Sequence, residues 1–182
     1  MSNEQLLEPS DEVDERHLHL AREAGDAYLA AADHMIEDVA NAGARKRVGD
    51  YVVGFAQEEA EGMYRLTDGS LEWEGPSDGE NCHLEVLVAS AGDGRFLPGV
   101  DVRATLEPDD GEAVGPTEVP FVWHPGVYHY GRNLEVPGDG TYDITVEFDP
   151  PQWPRHDEEN GDRYGDPVEV TFEDVEIETG RD

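Results

Sequence analysis

Lysine is almost missing from this chain. Lys46 is the only one in 182 residues, and with the arginines it makes 12 cations against 44 aspartates and glutamates, a net charge of −32. Such a surface repels phosphates and anionic headgroups, which excludes nucleic acid as a partner and disfavours binding to anionic lipid. Cysteine is equally scarce. Cys82 stands alone, so no intrachain disulfide can form and the fold must rest on its apolar core. Long hydrophobic runs are absent too: no segment approaches the roughly 20 apolar residues that cross a bilayer as a helix. Met1 to Glu15 lacks the basic-then-apolar layout of a secretory leader. As written, the chain reads as cytoplasmic, with a cell-surface location if a leader has been removed.

What is present argues against disorder, because the acidic residues alternate with ordered apolar patterns and three tryptophans. Acid-rich composition with arginine favoured over lysine resembles proteins of salt-loving archaea. In 1 M salt the screening length falls to about 3 Å, and self-repulsion becomes tolerable. Residues 1–11 read as a frayed tail. From Glu12 to Ala42, apolar residues recur every three or four positions (Val13, His17, Leu20, Ala24, Tyr28, Ala31, Met35, Val39), predicting a helix or two shorter ones. Ser10 or Asp11 is its expected N-cap, and Arg45-Lys46-Arg47 suits its C-terminal end.

Beyond Gly49 the period becomes two. Val100, Val102, Ala104 and Leu106 alternate with polar residues, as do Tyr142, Ile144, Val146 and Phe148, then Val168, Val170 and Phe172. The phase slips before Val175 and Ile177, as at a bulge. Other expected strands are Tyr51–Ala56, Met63–Leu66 with Leu71–Trp73, Cys82–Val88, Val119–Trp123 and Leu134–Val136. Turn chemistry such as Pro137-Gly138-Asp139-Gly140 separates them. The expected organisation is a tail and helical extension over 1–48, then a mainly β domain, an antiparallel β-sandwich, over 49–182.

Four of the seven histidines lie in three places: His83-Leu84-Glu85, His124 with His129, and His156 in an acidic loop. Strand pleating sends Cys82, Leu84 and Val86 to one face and His83 and Glu85 to the other, about 7 Å apart along the strand. An imidazole and a carboxylate so placed can address one ion. His129 follows a Pro-Gly turn between Tyr128 and Tyr130, with Gly131 permitting close backbone approach.

In combination these segments resemble the iron-transport-associated periplasmic metal-binding proteins, small partners of bacterial iron permeases. The shared elements are His83-Leu84-Glu85, Val119-Pro120-Phe121-Val122 leading to Tyr128-His129-Tyr130-Gly131-Arg132-Asn133, Gly140-Thr141-Tyr142-Asp143-Ile144-Thr145, and Arg155-His156-Asp157-Glu158-Glu159. The resemblance implies an immunoglobulin-like sandwich, a homodimer, and a copper or iron ion (zinc being a further option) held by His83, His129 and His156 with Glu85 nearby. It also implies a membrane permease as partner. Phe121 stands where the family carries a methionine ligand, which leaves an N/O donor set suited to Cu(II), Zn(II) or iron; His124 could take the vacated place. No nucleophile context or phosphate-binding loop suggests an enzyme. The expected function is therefore non-enzymatic metal binding. The alternative is a β-sandwich interaction module with a vestigial metal site, and a metal-dependent redox enzyme is a third reading.

Overall fold

The computed structural model describes residues 6–180. Its β strands form two packed sheets. Strands β1 (Ala42–Val48), β2 (Tyr51–Glu58), β5 (Cys82–Ser90), β8 (Phe121–Val122) and β9 (His129–Leu134) make a five-stranded sheet in the order β1-β2-β5-β9-β8. Strands β6 (Arg103–Pro108), β7 (Val114–Glu118), β10 (Gly140–Phe148) and β11 (Val168–Ile177) make a four-stranded sheet in the order β11-β10-β6-β7. Every pairing is antiparallel, so the mainly β, antiparallel expectation holds.

The period-two residues fill the space between the sheets. Tyr51, Val53, Phe55, Leu84, Val86, Leu106, Ile144, Val146, Phe148 and Phe172 are all buried there. Each such side chain contributes about 1.5–3 kcal/mol by leaving water. Edge-on rings add specificity: Tyr51 meets Phe148 with centroids 5.0 Å apart, and Phe55 meets Phe172 at 4.8 Å. The anticipated bulge lies at the register shift between Tyr142 and Ile144, opposite Asp174 with its φ of 55°.

The helix α1 spans Glu15–His34 and continues as a π-helical turn, Met35–Val39. Its N-cap is Asp14, whose carboxylate accepts from the His17 N–H at 2.8 Å, and not Ser10 or Asp11. The buried stripe also differs from the expected one: Leu18, Gly25, Ala32 and Met35 face inward while His17 and Leu20 are exposed. Ala42–Val48, read from sequence as the helix end, is an edge strand. Its charges hid the alternation: Arg45 donates two hydrogen bonds to Asp33 of α1 at 2.6 and 3.0 Å, and Lys46 donates to the Thr171 carbonyl at 2.6 Å. Edge strands commonly carry such charges. Strand β7 was also unforeseen, and β9 lies upstream of the expected Leu134–Val136 segment.

Strands β3 (Met63–Thr67) and β4 (Ser70–Glu74) pair only with each other, as a largely exposed hairpin. Residues 1–5 of the expected tail lie outside the described residues. The rest of that segment docks on the 155–163 loop, where Ser10 Oγ donates to Asp157 at 2.6 Å and the Glu8 N–H donates to Asn160 at 2.9 Å.

Candidate metal centre

Strand β5 is buried along its whole length, on both faces. Cys82, Leu84, Val86 and Val88 enter the sandwich core. His83 and Glu85 therefore point to the outer face, with Leu87 beyond them. The register places Glu85 opposite Gly131 and His83 opposite Asn133 on β9. By the same alternation His129, Gly131 and Asn133 share that outer face. Two neighbouring strands thus supply two imidazoles and one carboxylate to a single spot.

The donor atoms of His83, Glu85 and His129 all lie within 4.8 Å of one another. Glu85 Oε1 is 3.3 Å from His129 Nε2 and 3.8 Å from His83 Nε2. Both histidines are 1 % exposed and Glu85 is 2 % exposed, so water does not dilute their charges. Gly131 makes the convergence possible: a Cβ there would stand 3.0 Å from the His129 ring and 3.1 Å from His83 Nε2.

Each imidazole is oriented through its other nitrogen. His83 Nδ1–H donates to Asn133 Oδ1 at 2.9 Å. The Asn133 amide is itself aligned, because its Nδ2 donates to the Glu61 carbonyl at 2.7 Å and its Oδ1 accepts from the Glu61 N–H at 3.2 Å. His129 Nδ1–H donates to the Val127 carbonyl at 3.1 Å. With Nδ1 protonated in both rings, both Nε2 lone pairs face Glu85. His129 Nε2 and Glu85 Oε2 are buried without a hydrogen-bond partner among the described residues. Three acceptors in a dry site repel each other until a proton or a cation joins them.

The titration shifts follow from this burial. Loss of solvation pushes the Glu85 carboxyl up to about 8, with the Glu58 and Glu61 charges adding to the effect. Loss of solvation pushes His129 down to about 4, and it also lowers His83. Glu58, opposite His83 on β2, is raised by burial and by its neighbour Glu61. At neutral pH, burial therefore favours neutral imidazoles, the form that ligands must take, and a protonated Glu85.

His156 is not part of this cluster. Its side chain is 89 % exposed, and its Nδ1 lies 3.4 Å from Glu12 of the N-terminal segment. The adjacent Asp157 ties that loop to Ser10 and to the backbone of Asn160, away from the β5–β9 face. His124 lies closer. It is half-buried with its ring 5.8 Å from that of His129, and its Nδ1 accepts from the Gly126 N–H at 3.1 Å. Phe121 is half exposed on β8, where it meets Phe96, Tyr128 and Tyr130 and offers no donor atom. Sequence reading placed Asn133 in the shared motif without a role and missed the Val127 carbonyl. Only the register of β9 against β5 could have revealed the role of Asn133.

Two neutral imidazoles and a carboxylate, buried and convergent on an outer sheet face, define a β-sandwich with a donor set fit for a transition-metal ion. Residues 71–178 match the family model described as Fe2+ transport protein, and the chain belongs to that family. None of the curated proteins matches it. Among solved structures, FetP of uropathogenic E. coli is similar at 22 % identity over 75 % of this chain and 95 % of its own, with a TM-score of 0.61. A copper-bound FetP variant gives 21 % identity over 76 % and 92 %, with a TM-score of 0.62. Copper-reconstituted P19 of Campylobacter jejuni gives 18 % over 74 % and 94 %, with a TM-score of 0.58. At these identities the likeness concerns the fold.

Proposed function

We propose that this protein binds a copper or iron ion without catalysing a reaction, as an accessory component of iron uptake, and that His83, Glu85 and His129 hold the ion. The observation that carries this reading is the convergence of His83 Nε2, His129 Nε2 and a Glu85 oxygen within 4.8 Å in a site closed to water. A cation that displaces the Glu85 proton can join all three donor atoms. Nitrogen and carboxylate donors without a thioether suit Cu(II), iron or zinc better than Cu(I). The family and the copper-bound relatives support the same reading.

Three donors are one short of a closed tetrahedral set. A fourth comes from His124 at the rim, or from His156 of a second copy in a homodimer. The exposure of His156 supports the second option. Metal content after purification in molar KCl without an affinity tag, followed by titration with Cu(II), Fe(II) and Zn(II), tests the proposal. One ion per chain is expected, lost in His129→Ala and retained in His19→Ala. His124→Ala and His156→Ala identify the fourth donor. Failure to bind any of the three ions sinks the reading.

A second reading has its own support. The hairpin β3–β4 exposes Tyr64, Leu66, Leu71 and Trp73 together, each more than 60 % accessible. An isolated two-stranded hairpin is marginal in water, and exposed apolar patches mark interaction surfaces. This favours an interaction module, whether toward a permease or a second copy. A pull-down in which Trp73→Ser makes no difference counts against it. A leader-dependent cell-surface location and a high-salt habitat fit the metal-uptake reading and belong to the same proposal.

A further inference from the structure

The N-terminal extension lies outside the family match, which begins at residue 71, yet it packs on the same sheet face as the metal cluster. Ala32 and Met35 of the helical segment are buried together with Leu87, Ala56 and Val127. Leu87 is two residues from Glu85 on the same face of β5, and Val127 is two residues from His129. The extension is firmly seated. Gly25 runs so close to the 91–94 loop that a Cβ there would stand 1.7 Å from the Asp93 carbonyl oxygen, and Asp33 grips Arg45 of β1 through two bonds.

Tyr28 is the contact that matters for the cluster. Its hydroxyl donates to the Tyr128 carbonyl at 2.7 Å. Its ring meets Phe96 with centroids 5.7 Å apart, and Phe96 in turn meets Tyr128 and Tyr130. The carbonyl one residue earlier, that of Val127, accepts from His129 Nδ1 and sets the angle of that imidazole. The helical segment therefore controls the 127–129 turn twice, once through the Val127 side chain beneath it and once through Tyr28 on the next carbonyl. Burial raises the Tyr28 phenol, with Tyr130 and Glu85 contributing, so the hydroxyl remains a donor.

We infer that Tyr28 is a positioning residue of the metal centre: through the Tyr128 carbonyl it holds the Val127–His129 turn, and the helix it belongs to covers the cluster. This rests on the metal-binding proposal above. A mobile turn would let His129 Nε2 leave its place opposite Glu85, and would admit water to the cluster.

Tyr28→Phe tests this in the full-length protein, since the ring packing survives and only the hydroxyl is lost. Two readouts are needed. In the metal-free protein, acylation of individual histidines by diethylpyrocarbonate is followed by mass spectrometry. His129 is expected to be protected in the parent and labelled roughly tenfold faster in Tyr28→Phe, on the scale by which supporting contacts tune such sites. Exposed His19 and His156 serve as controls labelled alike in both. In the Co(II)-loaded protein, the visible band is expected to shift and release to EDTA to accelerate by a similar factor. Tyr64→Phe, on the exposed hairpin, is expected to change neither readout. Unchanged His129 labelling and an unchanged Co(II) band in Tyr28→Phe overturn the inference while leaving the site intact. A parent protein that takes up neither Co(II), Cu(II), Fe(II) nor Zn(II) overturns the metal-binding proposal, and the role assigned to Tyr28 falls with it.

Discussion

His129 Nε2 and Glu85 Oε1 stand 3.3 Å apart inside the protein, and with both His129 Nδ1–H and solvent already accounted for, only a proton or a cation can occupy the line between them. The two atoms come from different strands and from residues 44 positions apart in sequence. On the metal-binding proposal, their confrontation sets a proton against a metal.

That competition has a direction. Because Glu85 holds its proton up to about pH 8, a metal must displace it at lower pH. Affinity should fall about tenfold per pH unit below 8 and level off above it. The unperturbed imidazole value near 6.5 would have placed the fall lower, but His83 and His129 are both depressed. Isothermal titration between pH 6 and 9 measures the slope, and Glu85→Gln should bind more weakly with a flat profile.

The same shift acts on the fold. A carboxyl raised from an unfolded value of 4.5 to about 8 stabilises the protein fully below 4.5. This contribution declines as pH rises through that window. For His129, lowered from 6.5 to about 4, the contribution is present above 6.5 and declines as pH falls toward 4. With chelator present, the melting temperature should drop between pH 6 and 9, and saturating metal should abolish the drop.

Gly131→Ala should damage the site more than its size suggests. The added methyl would meet the His129 ring and His83 Nε2 near 3 Å, and overpacking of this kind costs about 1–3 kcal/mol. We expect most metal affinity to be lost while far-UV circular dichroism stays that of a β protein. Undiminished affinity would show that the imidazoles converge elsewhere.

Asn133→Leu removes the amide that holds His83 Nδ1. Affinity should fall roughly 10–100-fold, the usual cost of losing a partner that orients a ligand. Competition against a chelator of known strength measures it.

The acidic surface predicts salt dependence. A charge of −32 is screened in molar salt and unscreened in dilute buffer. The melting temperature should therefore rise with KCl, and a flat response would remove the link between composition and habitat.

Much of the sandwich is legible in the chain because strand burial writes itself as alternation. Val100 to Leu106, Tyr142 to Phe148 and Val168 to Phe172 all enter the core as their spacing implies. Strand β1 was hidden because Arg45, Lys46 and Arg47 find their partners in other elements, and no local pattern records that. The helix stripe was misphased for a similar reason. Gly25 faces inward because the 91–94 loop presses against it, and a glycine carries no hydropathy to announce this.

The site divides along the same line. His83 and Glu85 share a face because a strand pleats with period two, so the sequence by itself determined that an imidazole and a carboxylate stand side by side. Which other histidine joins them was a question of register and of loop anchorage. Pairing of β5 with β9 brings His129 to Glu85 across Gly131. The Asp157 contacts with Ser10 and Asn160 keep His156 elsewhere in the protomer. Burial decided the rest: the donors' protonation depends on how much water the helix and neighbouring strands exclude, a property of the packed molecule that no stretch of sequence contains.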